Sequence, residues 1–267
     1  MMIHDQAVPM ITGENISLAW ANAFIECYKA PGGVLHSAVV RMNTDGNRDS
    51  HETPELRQIV EMQLRTLLKK SAKKSVVETV AGTIFPESIW KLAKGDRQEL
   101  YKEYERMIPL MKRDPANRNG MYFERLIAYP SGDGKIVRQL EHIINTFKKG
   151  NHRHSALQAG IFDPRKDHSN ARQLGFPCLQ QVVFYPNGSN GKGGLSVIAF
   201  YANQTLAEKA YGNYLGLYRL GSFMAQEMGI KMKEVVCIAA ALKLSDSITK
   251  TACKPVVNAI RAVLDNA

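Results

Sequence analysis

Three apolar runs in the second half of the chain limit what it can fold into. Residues 180–185, 195–201 and 235–244 are rich in valine, alanine, isoleucine and aromatics, bounded by turn residues, and read as buried strands. The glycine-rich stretch 186–194 joins the first two as a hairpin. It is no phosphate loop, because the glycine spacing is wrong and a strand follows where a helix is required. Between the second and third runs, residues 207–228 form a long apolar helix pattern closed by Gly229. Upstream, the spacing of Leu18, Trp20, Phe24 and Ile25 predicts a helix over 16–29, and 34–41 reads as a strand. Thr53-Pro54 opens a helix towards Leu68. Further helices are predicted over 98–111, 137–148 and 251–264, and an extended segment over 155–162. In the 137–148 helix, Val137, Leu140, Ile143, Ile144 and Phe147 share one side, and Gly150 ends it. No repeat or low-complexity linker divides residues 1–267. The expectation is one α+β domain, a mixed sheet surrounded by helices.

The net charge of +10 favours anionic partners without choosing among nucleotides, acidic folates and nucleic acid. Four lysines fall in residues 69–74, but few aromatics are interleaved with them, so a nucleic-acid surface is the minority reading. Cys27, Cys178, Cys237 and Cys253 are widely and irregularly spaced, which argues against a zinc site and a dense disulfide framework. No run approaches the length of a membrane span, and no leader-like run opens the chain. A reducing, cytoplasmic protein with no membrane partner and no metal is expected.

Cys178 follows Pro177 at the mouth of the first apolar run. Proline fixes its own φ and restricts its predecessor, so a side chain at this corner is held in one direction. That suits a nucleophile, although free cysteine is often only a small buried hydrophobe. Upstream, Glu87 stands one helical turn before Trp90. A carboxyl desolvated by an indole would have a raised pKa and suit proton transfer near neutrality. The plain alternative is a helix-start carboxylate favoured by the dipole.

Taken together, Leu174-Gly175-Phe176-Pro177-Cys178 with Gln181, the run Gly212-Asn213-Tyr214-Leu215, Glu87-Ser88-Ile89-Trp90-Lys91-Leu92-Ala93-Lys94-Gly95-Asp96 and Asn151-His152-Arg153-His154 resemble, in order, four segments of the thymidylate synthases and related pyrimidine nucleotide hydroxymethylases. The resemblance implies a thymidylate synthase-like fold whose sheets pack back to back in a homodimer. It implies a C5 methyl- or hydroxymethyltransferase acting on a pyrimidine nucleoside monophosphate, with 5,10-methylenetetrahydrofolate as one-carbon donor. Cys178 would add to C6 of the base and Glu87 would carry protons. Asn213 would pair with the pyrimidine edge, where an amide matches a donor–acceptor pair. Arg153 would cross from the partner subunit to hold the 5′-phosphate and supply a cation that lowers the thiol pKa. Trp90 and Gln204 would complete the substrate pocket. Arg41 and Arg48 are further candidates for a phosphate-reaching loop.

Departures from that pattern bear on the chemistry. Leu179 stands where the family has His, and Asn203-Gln204 where it has Arg-Ser. Residues 240–245 lack the His and Tyr that hold the sugar hydroxyl. The family's Met-rich closing segment is not recognisable after Ser245, which keeps hydroxymethylation open beside methylation. A second reading is therefore a non-catalytic protein of the same fold that binds nucleotide or a protein partner. A third, RNA binding, rests on charge alone.

Overall fold

The structure is a computed structural model that describes residues 8–44, 51–68, 76–131, 133–168 and 176–266. In chain order the first half holds β1 (Met10–Gly13), α1 (Ile16–Lys29), β2 (Val34–Asn43), α2 (Pro54–Gln58), α3 (Arg65–Leu68), α4 (Val77–Ile84), α5 (Glu87–Leu92), α6 (Arg97–Met111) and α7 (Tyr122–Ile127). A small ribbon of β3 (Tyr129–Pro130) and β4 (Ile136–Val137) leads to α8 (Gln139–Lys149), β5 (Gln158–Gly160) and α9 (Pro164–Asp167). The second half holds β6 (Leu179–Pro186), β7 (Leu195–Tyr201), β8 (Gln204–Thr205), α10 (Tyr211–Met228), β9 (Met232–Lys243) and α11 (Lys254–Leu264). The lysine run, Arg48, Leu174 and Gly175 lie outside the described residues.

The sheet is mixed, in the order β1-β2-β9-β7-β6-β5, with β8 beside β9. β6 and β7 form the expected antiparallel hairpin, while β7 and β9 run parallel. A parallel pair needs a crossover, and α10 supplies it. That helix is buried on nearly every side, as a central helix should be. It packs on β7 and β9 and is covered by α4 and α8. Gly212 and Gly216 allow the close approach of α4: a Cβ on Gly212 would stand 2.6 Å from Val80 Cβ, and one on Gly216 2.8 Å from the Ala81 carbonyl. This packing fixes Asn213, between Gly212 and Tyr214, in the buried first turn of α10.

Helices flank the mixed sheet. Val235, Cys237 and Ala239 of β9, Val197 and Ala199 of β7, and Val182 and Phe184 of β6 point into the helical layer and are buried. The alternate residues form the other face. Register aligns Val39, Ile238 and Phe200 in one row and Arg41, Val236, Ile198 and Val183 in the next. Ile238 is 36% exposed and Phe200 and Tyr185 41% each, so a mostly apolar sheet face is open to solvent.

Other differences are local. Val137 lies exposed in the ribbon and not on α8, whose buried side is Leu140, Ile143 and Ile144. Over 155–162 only Gln158–Gly160 is strand, after a 3-10 turn at His154–Ala156. The helix predicted from residue 207 starts with a π turn, Leu206–Ala210, and the one opened by Pro54 carries a second, Ile59–Leu64. Arg41 is a strand residue paired with Glu234 at 2.6 Å, not part of a mobile loop.

Candidate functional site

Cys178 sits at the entry to β6, half-buried, where the loop turns into the sheet. Its N–H donates to the Tyr122 hydroxyl at 3.4 Å, and its carbonyl accepts from the Ala202 N–H at 3.0 Å. Phe176 is clamped by Tyr122, with ring centroids 5.2 Å apart, and by the Arg125 guanidinium 5.5 Å from its ring. Arg125 is itself buried and paired with Asp167 at 3.0 Å. The corner that the Pro177-Cys178 pair predicted is therefore held from three sides.

Burial pushes the Cys178 thiol above its ordinary pKa; Lys209 and Lys243 pull it down, and Asp246 adds to the rise. Arg153 is exposed before the His154 turn, beside the Pro186 end of β6. The length of β6, roughly 23 Å at 3.3 Å per residue, separates it from Cys178 of the same chain. Burial raises the other cysteines too, Cys27 to about 12 and Cys253 to about 11, with Cys237 higher still. Cys178 alone among the four is not fully buried.

The segments around Cys178 carry buried polar atoms with no hydrogen-bond partner among the described residues: Tyr201 Oη, Asn203 Oδ1, Gln204 Nε2, Glu208 Oε2 and Ser247 Oγ. Buried polar groups are normally paired, so such a concentration is what a polar ligand site presents. Gln204 is half satisfied: its Oε1 accepts from the Tyr214 hydroxyl at 3.0 Å, next to Asn213. Glu208 Oε1 accepts from Ser245 Oγ and from the N–H groups of Asp246 and Ser247. Tyr122, Tyr201, Lys209, Lys243 and Glu208 escaped the sequence reading because nothing in their local pattern ties them to Cys178. Tyr122 is 56 residues away.

Glu87 and Trp90 lie on α5, against the middle of α10. The Glu87 carboxylate pairs with Arg219 at 2.6 Å and Lys91 at 3.4 Å. The Trp90 indole is turned edge-on to Phe223, 5.0 Å between centroids. The expected desolvation of Glu87 by the indole is thus replaced by ion pairing, because α10 brings Arg219 to the same face. Cys178 and Gln204 meet at one end of the sheet, Asn213 joins Gln204 through Tyr214, Glu87 and Trp90 stand further along α10, and Arg153 is at the opposite end of β6.

Among the described residues no group of three or more metal-ligating side chains occurs, and no helix is long and apolar enough to cross a membrane. No protein-family model matches the chain, and no curated protein matches its sequence.

Proposed function

We propose that this protein is a one-carbon transferase acting at C5 of a pyrimidine nucleoside monophosphate, with Cys178 as nucleophile. The observation that carries the reading is the meeting, at one sheet end, of a fixed, half-buried thiol, the charges of Lys209 and Lys243, and buried polar atoms without a hydrogen-bond partner among the described residues. In the proposed reaction the Cys178 thiolate adds to C6 of the base and the electron pair moves to C5, which forms a bond to the one-carbon unit; loss of the C5 proton to a base then expels the thiolate and restores the double bond. Asn213 and Gln204 offer amides to the pyrimidine edge, and Lys209 offers a cation to an anionic substrate, while Lys243 is paired with Asp246 at 3.2 Å. Glu87 is the proposed proton carrier. Methylenetetrahydrofolate is the one-carbon donor the resemblance implies. Trp90, expected in the substrate pocket, is 9% exposed and packed edge-on against Phe223, so it offers no open aromatic face to a base.

We also propose that two copies pair through the open sheet face. The patch is apolar at its centre, at Val39, Ile238, Phe200, Val236, Ile198 and Val183, and polar at its margin, where Arg41, Glu234 and Ser196 bond to one another. A two-fold axis would bury this face against itself. Arg153, too far from Cys178 in its own chain, would then act in the partner's site.

The thiol's raised pKa and the ion-paired Glu87 favour a second reading, a nucleotide-binding protein that performs no transfer. Tritium release from C5-labelled UMP, dUMP, CMP and dCMP, with and without methylenetetrahydrofolate, separates the two. Release from one of the four supports the transferase, and none from any, with a nucleotide nevertheless bound, supports the binding protein.

A further inference from the structure

At the other end of β6 from Cys178 lies a cavity of about 640 Å³, within the size range of small-molecule sites. It is a half-open cleft lined by the end of α8, the segment 150–154, the hairpin between β6 and β7, and Met228 at the end of α10. Among the described residues no carboxylate lines it. The ionisable groups on its walls are Lys148, His152 and His154. His152 Nδ1 is buried without a hydrogen-bond partner among the described residues. The two imidazoles stand 6.3 Å apart at 80°, and His154 is fixed by stacking on Tyr185 at 4.8 Å. Ser189 and Asn190 of the hairpin add polar groups, while Phe147 and Met228 make an apolar wall.

We propose that this cavity binds a small phosphate monoester, its phosphate on Lys148, His152 and His154 and its apolar body against Phe147 and Met228. A lysine and two imidazoles lining one cleft suit an anion with several acceptor oxygens. The carbonyl end of α8 opposes an anion here, and Lys148 and Lys149 in its last turn offset that field. A metal is the poorer occupant, since these two histidines are not joined by a third ligating side chain among the described residues. The cavity lies at the opposite end of β6 from Cys178 of the same chain, and its His152 and His154 flank Arg153, the residue proposed to act in the partner's site.

The test uses the full chain labelled with ¹³C-methyl methionine, with the Met228 signal assigned through Met228→Leu. Phenyl phosphate, inorganic phosphate and phenol are titrated separately. Phenyl phosphate is expected to shift the Met228 methyl saturably, and phenol to need at least tenfold more. Inorganic phosphate should compete with phenyl phosphate. The apparent Kd for phenyl phosphate should rise about tenfold or more in His152→Ala, the loss of a charge-assisted hydrogen bond. It should rise severalfold in the surface variant Lys148→Gln and stay unchanged in Cys178→Ala. No saturable shift at Met228, equal affinity for phenol, or unchanged affinity in both His152→Ala and Lys148→Gln would overturn the proposal, whatever Cys178 does.

Discussion

Phe200→Ala tests the proposed pairing of open sheet faces. Phe200 sits at the centre of the patch, 41% exposed, between Ile238 and Gln181 in register. An aromatic side chain of about 200 Å² exposed to that degree offers on the order of 80 Å² to a partner. A two-fold places it in the interface twice, so truncation removes roughly 160 Å² of apolar contact. At about 25 cal/mol per Å² this is roughly 4 kcal/mol, about a thousandfold in the dimer dissociation constant. The same change should affect the isolated fold little, because the ring projects away from the helical layer. Sedimentation equilibrium across a concentration series reads the constant directly. Leu92→Ala is the control, since Leu92 is 80% exposed on α5, far from this face. A wild-type monomer at high concentration refutes the reasoning. So does a dimer weakened less than threefold by Phe200→Ala, or equally by Leu92→Ala.

Three further outcomes are expected. Because the Cys178 thiol lies above its ordinary pKa, its thiolate fraction grows about tenfold per pH unit through neutrality. Iodoacetamide should therefore modify Cys178 first, at a rate rising from pH 7 to pH 9, and a plateau below pH 8 would contradict the burial account. Glu87→Gln should lower turnover by about 10²- to 10⁴-fold while nucleotide binding persists, and an unchanged rate in steady-state assays removes Glu87 from the reaction. Cys178→Ala and Arg153→Ala should each be inactive yet regain part of the activity when unfolded and refolded together. Failure to do so, with both variants dimeric, rules out a shared site.

Where the chain's own periodicity carries the information, the fold was legible. The three apolar runs became β6, β7 and β9, and residues 16–29 became α1 without adjustment. Glycine and proline punctuation marked the hairpin and the ends of α8 and α10. The open sheet face was expected only through the back-to-back pairing that the resemblance implies, because Ile198, Phe200, Val236 and Ile238 look the same in sequence whether covered by a helix or open. Val137 was misread for a related reason: it continues the apolar spacing of α8 although the backbone there is already committed to the ribbon.

At the site, Cys178 could be found because Pro177 and the strand after it are adjacent in sequence. Its electrostatic setting could not. Lys209, Lys243 and Asp246 reach the thiol through the β7–α10–β9 crossover, and Tyr122 through the packing of α7. Arg219 cannot be matched to Glu87 until α5 is laid on α10. Sequence spacing showed which groups were available, and tertiary packing decided which charges faced one another.

The central claim is that Cys178 forms a covalent bond to a pyrimidine nucleotide. The most direct measurement is intact-mass spectrometry after incubation with the 5-fluoro analogues of UMP, dUMP, CMP and dCMP, with and without methylenetetrahydrofolate. The account predicts one adduct per chain with at least one analogue, located at Cys178 and absent from Cys178→Ala. No adduct with any of the four, or one that survives in Cys178→Ala, would contradict it.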